Sequence, residues 1–516
     1  MPRLHPLLPL LAGLATGLGA FSLQAEPPPG QDIVFADPVL VALEEVGAPT
    51  SDAVTFDAGI DYRLWADAAD GQALFQRLRL TSALAFGDFE AVFDLDALAG
   101  RLAGDPYAAL PAHLDAGATP YAGVATGGPT FFDPRQFYAG WRTPVGQLRL
   151  GLQASQWGMG LIANDGSIAN EQLFGQSYGG DRSFRALFAT APLRPLSDGH
   201  LAQNIYFVLG TDVVYRDENA NYAMGDRAYQ ALSSLFFRDE QTTVGAYAAY
   251  RSQDDRSGDG LDVLAVDAHA ERTWYDEDAN WTYRLGAEIA YLSGSTSRAL
   301  APDGQDLNVR GMGLAGEFEL RHRRAEIGLN LLSGYASGDS NTADETVNRF
   351  RFDPNYKVGL VLFEHYLPAI SRASFVRATD PEKSGQPPKG VDALIETGAV
   401  TNAYYFNPQL QYGDPQHFLA GVGVLWARAA VPVFDPYASS VAGGSLRGPR
   451  GRQAASDELG WELNAALRYR YRPIEGLVLE AKAEYGIFFP GAAFEDELGN
   501  ADAAQNLVRA RLALSW

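Results

Sequence analysis

Basic side chains recur at every second position in several stretches of this sequence: Arg77 and Arg79; Arg468, Arg470 and Arg472; Arg509 and Arg511. Arg63 and Lys482 extend the set, and Asp57, Asp61, Glu480 and Glu484 are interleaved with it. Residues two apart share one face of an extended strand, so each stretch gathers its charges on one side. Guanidinium forks match carboxylate and phosphate geometry, and rows of charge along a water-filled path set which ions pass. One chemistry open to these residues is therefore a track for an anion. The other is mutual: cross-strand ion pairs that stiffen a wall. Arg149, Arg185 and Arg284, set against Glu90, Asp94, Asp267, Glu271, Glu288, Glu317, Glu319 and Glu326, fit the second.

Catalytic patterns are thin. His269 lies between Asp267 and Glu271 on one strand face, where a carboxylate could orient a general base, but no serine nucleophile is placed beside it. The chain contains no G-x-S-x-G, HExxH or Walker pattern. No enzyme and no cofactor are expected. Trp157 could stack on a sugar at a pore mouth, although an interfacial girdle position is preferred.

The elements that must position these charges are strands. In Val54–Trp65 the apolar set Val54, Phe56, Ala58, Ile60, Tyr62, Leu64 opposes Thr55, Asp57, Gly59, Asp61, Arg63. Segments 281–291, 461–472 and 477–489 alternate in the same way. Val508, Ala510, Leu512, Leu514 and Trp516 oppose Arg509 and Arg511 at the end of the sequence. Greasy residues on one side and charged ones on the other suit a strand between lipid and water. Short connections at 86–89, 143–147, 192–202, 238–241, 275–280, 321–324, 412–416 and 472–476 alternate with longer polar ones. That alternation predicts an antiparallel up-and-down transmembrane β-barrel of about eighteen strands, with short periplasmic turns and long extracellular loops. Segment 356–366 would break the parity as a strand. It is read as part of a 337–400 insertion folded at or into the barrel mouth.

Residues 1–25 read as a signal peptide: Arg3, an apolar core from Pro6 to Leu23, then Leu23-Gln24-Ala25. Residues 26–51 form a periplasmic leader and 52–516 the barrel. There is no cysteine, hence no disulfide or thiolate chemistry. The formal charge of −23 argues against a nucleic-acid partner. Mean hydropathy of −0.14 does not conflict with a membrane barrel, whose alternation hides its lipid face from averages. The expected partners are outer-membrane lipid and lipopolysaccharide, a sugar, and the barrel-assembly machinery through the last, aromatic-ended strand.

Two further segments carry a resemblance. The first is Gly151 to Gly166 (GLQASQWGMGLIANDG) followed by Asp181-Arg182-Ser183-Phe184; the second is Gly338 to Asp344 (GDSNTAD) leading into Phe350 to Tyr356 (FRFDPNY). Together they resemble the alginate-export family of outer-membrane barrels. The resemblance implies an eighteen-stranded monomer with an electropositive pore passing an acidic polysaccharide. It also implies a wall or loop-anchoring role for Arg182 and a bracing role for Asp339, Asn341 and Asp344 in the large outer loop. This wall departs from that picture by mixing acid with base. The Asp-x-Asn spacing is half of a calcium loop without its distal glutamate, so no metal is expected. The resulting expectation is an outer-membrane channel for a hydrophilic saccharide, anionic on the track reading. A general porin or a non-conducting surface anchor are the alternatives.

Overall fold

The computed structural model describes residues 54–516 apart from 70, 105–129, 168–172, 178, 277, 301–303, 342–343, 385–395, 443–444 and 453–455. The signal-peptide and leader assignments lie outside the described residues.

Eighteen antiparallel strands form a closed barrel. The first six are β1 (Val54–Ala68), β2 (Gln72–Phe86), β3 (Phe89–Gly104), β4 (Thr130–Thr143), β5 (Gly146–Ala154) and β6 (Arg182–Thr190). Next come β7 (Ile205–Arg216), β8 (Arg227–Arg238), β9 (Thr242–Asp254), β10 (Gly260–Asp276), β11 (Trp281–Leu300) and β12 (Asp306–His322). The last six are β13 (Ile327–Ala336), β14 (Ala403–Tyr412), β15 (Phe418–Ala429), β16 (Glu458–Ile474), β17 (Leu477–Pro490) and β18 (Gln505–Ser515). Each strand pairs with its sequence neighbours. The ring shuts where β1 meets β18, with Tyr62 opposite Leu514 and Asp67 opposite Arg509. The eighteen-strand expectation matches. Among the described residues no helix is long and apolar enough to cross a membrane.

Alternation decides which side of the wall each residue meets. On β18, Val508 and Leu512 are each 50% exposed, whereas Arg509 and Arg511 between them on the opposite face are 1% and 3% exposed. Outward aromatics collect near both rims: Phe89 stacked on Trp141, with Tyr412, Phe418, Tyr469 and Tyr471 at the short-turn end, and Tyr250, Tyr291, Tyr404 and Trp461 toward the long loops. Amphipathic rings are favoured at such depths, where one edge is greasy and the other wet. The tight turns use left-handed backbone, as at Gly87 (φ 56°) and Gly476 (φ 77°), which two-residue hairpins require.

The interior is not simply water-filled. Residues of the Ser337–Val400 segment run back inside the cylinder. There Phe350, Phe352, Tyr356, Leu360 and Leu362 pack with Phe174 against inward Ala315, Leu332, Ala336, Tyr405 and Leu425. Within it, Leu362–Tyr366 forms a π-helical turn that continues as α1 (Leu367–Thr379). Small inward residues make the room. A side chain at Gly313 would collide with the Phe350 ring, and one at Gly423 would meet Phe174.

Candidate pore lining and its infolded segments

The inward charges near the barrel closure are engaged, but not in the pattern of a simple ion-pair wall. Asp61 serves two arginines, accepting from Arg63 Nε at 3.1 Å and Arg77 Nη2 at 2.9 Å. Glu480 likewise serves Arg470 (2.9 Å) and Arg511 (2.7 Å). Arg79 grips Asp96 through two hydrogen bonds of 2.7 and 3.1 Å. Arg509 grips Asp67 in the same fashion at 2.7 and 2.9 Å. Lys482 lies 3.1 Å from Glu484. Arg468 and Arg472 reach the Tyr412–Phe418 turn, donating to the carbonyls of Pro415 and Gln416 at 3.3 Å each. Asp57 is exposed.

Register gathers base at two places in this sector. Arg63 stands opposite Arg77, and Arg468, Lys482 and Arg511 stand opposite one another across β16, β17 and β18. Like charges directly opposed across strands are destabilising. Unlike charges face one another too, both in this sector, as with Arg470 and Glu480 or Glu484 and Arg509, and elsewhere, as with Arg185 and Asp212 or Arg284 and Glu319. Arg182, however, faces Arg216 across β6 and β7. Elsewhere the side chains also pair, at 2.6 Å for Arg185–Asp212 and 2.8 Å for Arg284–Glu317. Outside the closure sector most inward arginines are matched, although Arg182 and Arg216 share Asp133; the closure sector carries a surplus of base.

Three inward carboxylates hold infolded backbone, Glu484 while also pairing with Lys482. Glu462 accepts from the N–H groups of Leu360 (2.5 Å), Val361 (3.0 Å) and Leu362 (2.7 Å). Glu288 accepts from those of Met159 and Leu161, and Glu484 from that of Gly175 at 2.9 Å, while Lys482 donates to the Gly175 carbonyl at 3.0 Å. The β5–β6 connection is thus held inside the barrel at two points and the Ser337–Val400 segment at one. Carboxylates accepting several N–H groups form the strong, charge-assisted class of hydrogen bond.

Trp157 corrects the preferred girdle assignment. Its indole N–H donates to inward Asp267 at 2.6 Å and its ring stacks on inward Tyr247, with centroids 5.4 Å apart. It faces the interior because the β5–β6 connection that carries it folds inward. Arg182, 1% exposed, forks onto Asp133 of β4 at 2.8 and 3.1 Å. Asp339 accepts from the N–H groups of Asn341 (2.9 Å) and Asn348 (3.1 Å), and Asp344 from that of Thr346 (2.9 Å).

Two groupings carried no sequence signal, because the first joins a strand residue to an infolded connection and the second joins three separate connections. Glu364, at the π-helical turn, accepts from Arg509 at 2.9 Å, with Lys357 Nζ 3.5 Å and His365 Nε2 3.7 Å away. Burial pushes the Glu364 carboxyl up, but Arg509 and then Lys357 overcome this and hold it at about 2. Asp181, Glu218 and Asp353 bring carboxylate oxygens within 4.8 Å of one another, a spacing that could hold a metal ion. Burial, then Asp217, pushes Glu218 up to about 7; burial, then Glu218, raises both Asp181 and Asp353 well above the usual carboxylate range.

No protein-family model and no curated protein match this chain. Solved structures do. Acinetobacter baumannii OccAB1 superposes with a TM-score of 0.50 at 9% identity, over 92% of this chain and 99% of that one. Pseudomonas aeruginosa OccK8 (OprE) gives 0.48 at 11% identity, over 91% and 99%. The outer-membrane protein opdK of Pseudomonas aeruginosa gives 0.47 at 13%, over 90% and 99%. The OccAB1 superposition supports the barrel that the family resemblance implies, and the alginate-export part of that resemblance is not supported. At such identities the likeness is one of fold: this chain has the eighteen-stranded architecture of a bacterial outer-membrane β-barrel.

Proposed function

We propose that this protein is an outer-membrane channel for small hydrophilic solutes, with a preference for anions set by the basic sector at the barrel closure. The observation that carries the reading is the row Arg468–Lys482–Arg511 in direct register, with Arg63 opposite Arg77. A wall built only for stiffness would oppose unlike charges there, as it does at Arg185 and Asp212. Infolded segments held by Glu288, Glu462 and Glu484 narrow the path, which suits small solutes over a wide polymer conduit. The short turns would face the periplasm, and transport would run down a gradient without a cofactor.

Reversal potentials in planar bilayers under a KCl gradient test this. Anion preference is expected, weakened when Lys482 and Arg511 are both changed to Gln; cation preference in the unmodified protein overturns it. A general porin would show conductance indifferent to acidic solutes. The packing of Phe350, Phe352 and Leu360 inside the barrel favours one second reading, a plugged and non-conducting anchor. Removing residues 337–400 distinguishes them, since the anchor would be silent before the deletion and conduct after it.

A further inference from the structure

We infer that Asp181, Glu218 and Asp353 form a site for one hard divalent cation of the calcium class, which clasps three long connections to one another. The inference goes beyond the channel reading and holds whether or not the barrel conducts.

Each residue comes from a different connection on the long-loop side: Asp181 closes β5–β6, Glu218 lies in β7–β8 and Asp353 in the Ser337–Val400 segment. One carboxylate oxygen of each lies within 4.8 Å of the other two. Backbone holds two of them in place. The Asp353 N–H donates to the Leu161 carbonyl at 2.7 Å, and the Asp181 N–H to that of Asn164 at 2.8 Å. Asp181 and Asp353 are 8% and 4% exposed. Among the described residues none of the three carboxylates makes an ion pair. Arg251 grips Asp217 instead, while Arg351 and Lys357 act only from beyond ion-pair distance. Three like charges therefore meet without a side-chain cation among them, which is costly for buried groups unless something positive joins them.

Asp181 supplies a second and separate sign. Its Oδ2 accepts from the Asn164 N–H at 3.2 Å, whereas its Oδ1 is buried and accepts no hydrogen bond. An unsatisfied buried carboxylate oxygen is destabilising, and a bound cation would satisfy it. The donor set chooses the ion. Oxygen ligands without histidine or cysteine favour calcium and magnesium over zinc or copper. Oxygens bonded to calcium at roughly 2.4 Å stand up to ~4.8 Å apart, whereas magnesium at roughly 2.1 Å spans only ~4.2 Å. The spread here suits the larger ion, with water completing its shell.

The test titrates the full-length protein in detergent micelles with calcium chloride by calorimetry, after EDTA treatment and dialysis. A pH of about 8 favours release of the protons that a metal displaces. One equivalent should bind with Kd below about 1 mM, and magnesium chloride about tenfold more weakly. Asp353→Asn and Glu218→Gln should each weaken calcium about tenfold or more, since affinity follows ligand charge. Absence of saturable binding overturns the inference. So does binding that both substitutions leave unchanged, which would place the ion on other acidic loops. Magnesium bound as tightly overturns the calcium assignment. Should the variants fail to fold, amide exchange in the wild type decides. Residues 181, 218–220 and 353–355 should exchange about tenfold more slowly in calcium than in EDTA, and equal exchange overturns the clasp. Conductance enters neither arm, so failure here leaves the channel reading standing.

Discussion

Two arcs of the same wall treat their interiors differently. β1, β2 and β16 to β18 present Asp61, Arg63, Arg77, Arg79, Arg470, Lys482, Arg509 and Arg511 inward, with charges shared and like signs opposed. β12 to β15 present Ala315, Leu332, Ala336, Ala403, Tyr405, Leu425 and Ala427, with Gly313 and Gly423 opening space for Phe350 and Phe174. Both arcs obey one alternation and both are greasy toward lipid. The difference shows that period-2 patterning assigns a residue to the inside of a barrel without saying whether water or protein waits there.

The comparison can be broken first in the ionic arc. Arg79→Gln leaves Asp96 buried without its two-pronged partner and should cost about 3–5 kcal/mol, the usual penalty for stranding one half of a buried pair. Urea unfolding in lipid vesicles measures it, and a loss below 1 kcal/mol would mean that water reaches this arc freely. Glu462→Ala tests the tether between the arcs. Three buried N–H groups lose a charged acceptor, which should cost segment docking about 3 kcal/mol. Exchange at amides 360–362 should then quicken by roughly two decades while strand amides stay protected. In the packed arc, Gly313→Val drives methyl groups into the Phe350 ring and should destabilise by about 1–3 kcal/mol. Protease cleavage within 337–400, with the barrel intact, is the expected sign.

The smallest effect is a pH slope. Glu218 titrates near 7 in the folded chain against an ordinary 4.5, so the folded form binds more protons between those values. The Glu218 contribution to stability should therefore fall as pH rises from about 4.5 to 7 and level off above. Glu218→Gln should flatten the slope in thermal melts; an unchanged slope would assign it to Asp181 and Asp353.

Much of the architecture was legible because lipid imposes a strict rule. Val508, Leu512, Leu514 and Trp516 had to face outward, which sent Arg509 and Arg511 inward, and turn spacing then gave the strand count. The β11 end was misplaced: alternation was followed only over 281–291, yet the strand runs on to Leu300, with β-branched Thr296 buried on its inward face. The site was legible only in its fixed half. Arg509 and Glu484 could be assigned to the wall, but their partners Glu364 and Gly175 arrive from connections whose inward course leaves no periodic trace. Trp157 misled for the same reason. An aromatic beside glycines reads as a rim residue until something shows that its loop turns back into the cylinder.

The seam between β1 and β18 has a consequence for change over time. Because the sheet bites its own tail, its alignment is a single shared quantity and not a set of local choices. Adding or deleting one residue within any spanning strand would turn the remainder of that strand inside out, setting arginine against hydrocarbon and leucine against water. Growth and loss are thus channelled into the connections, where length is free, and new specificity would arrive there first while the hoop of strands endures.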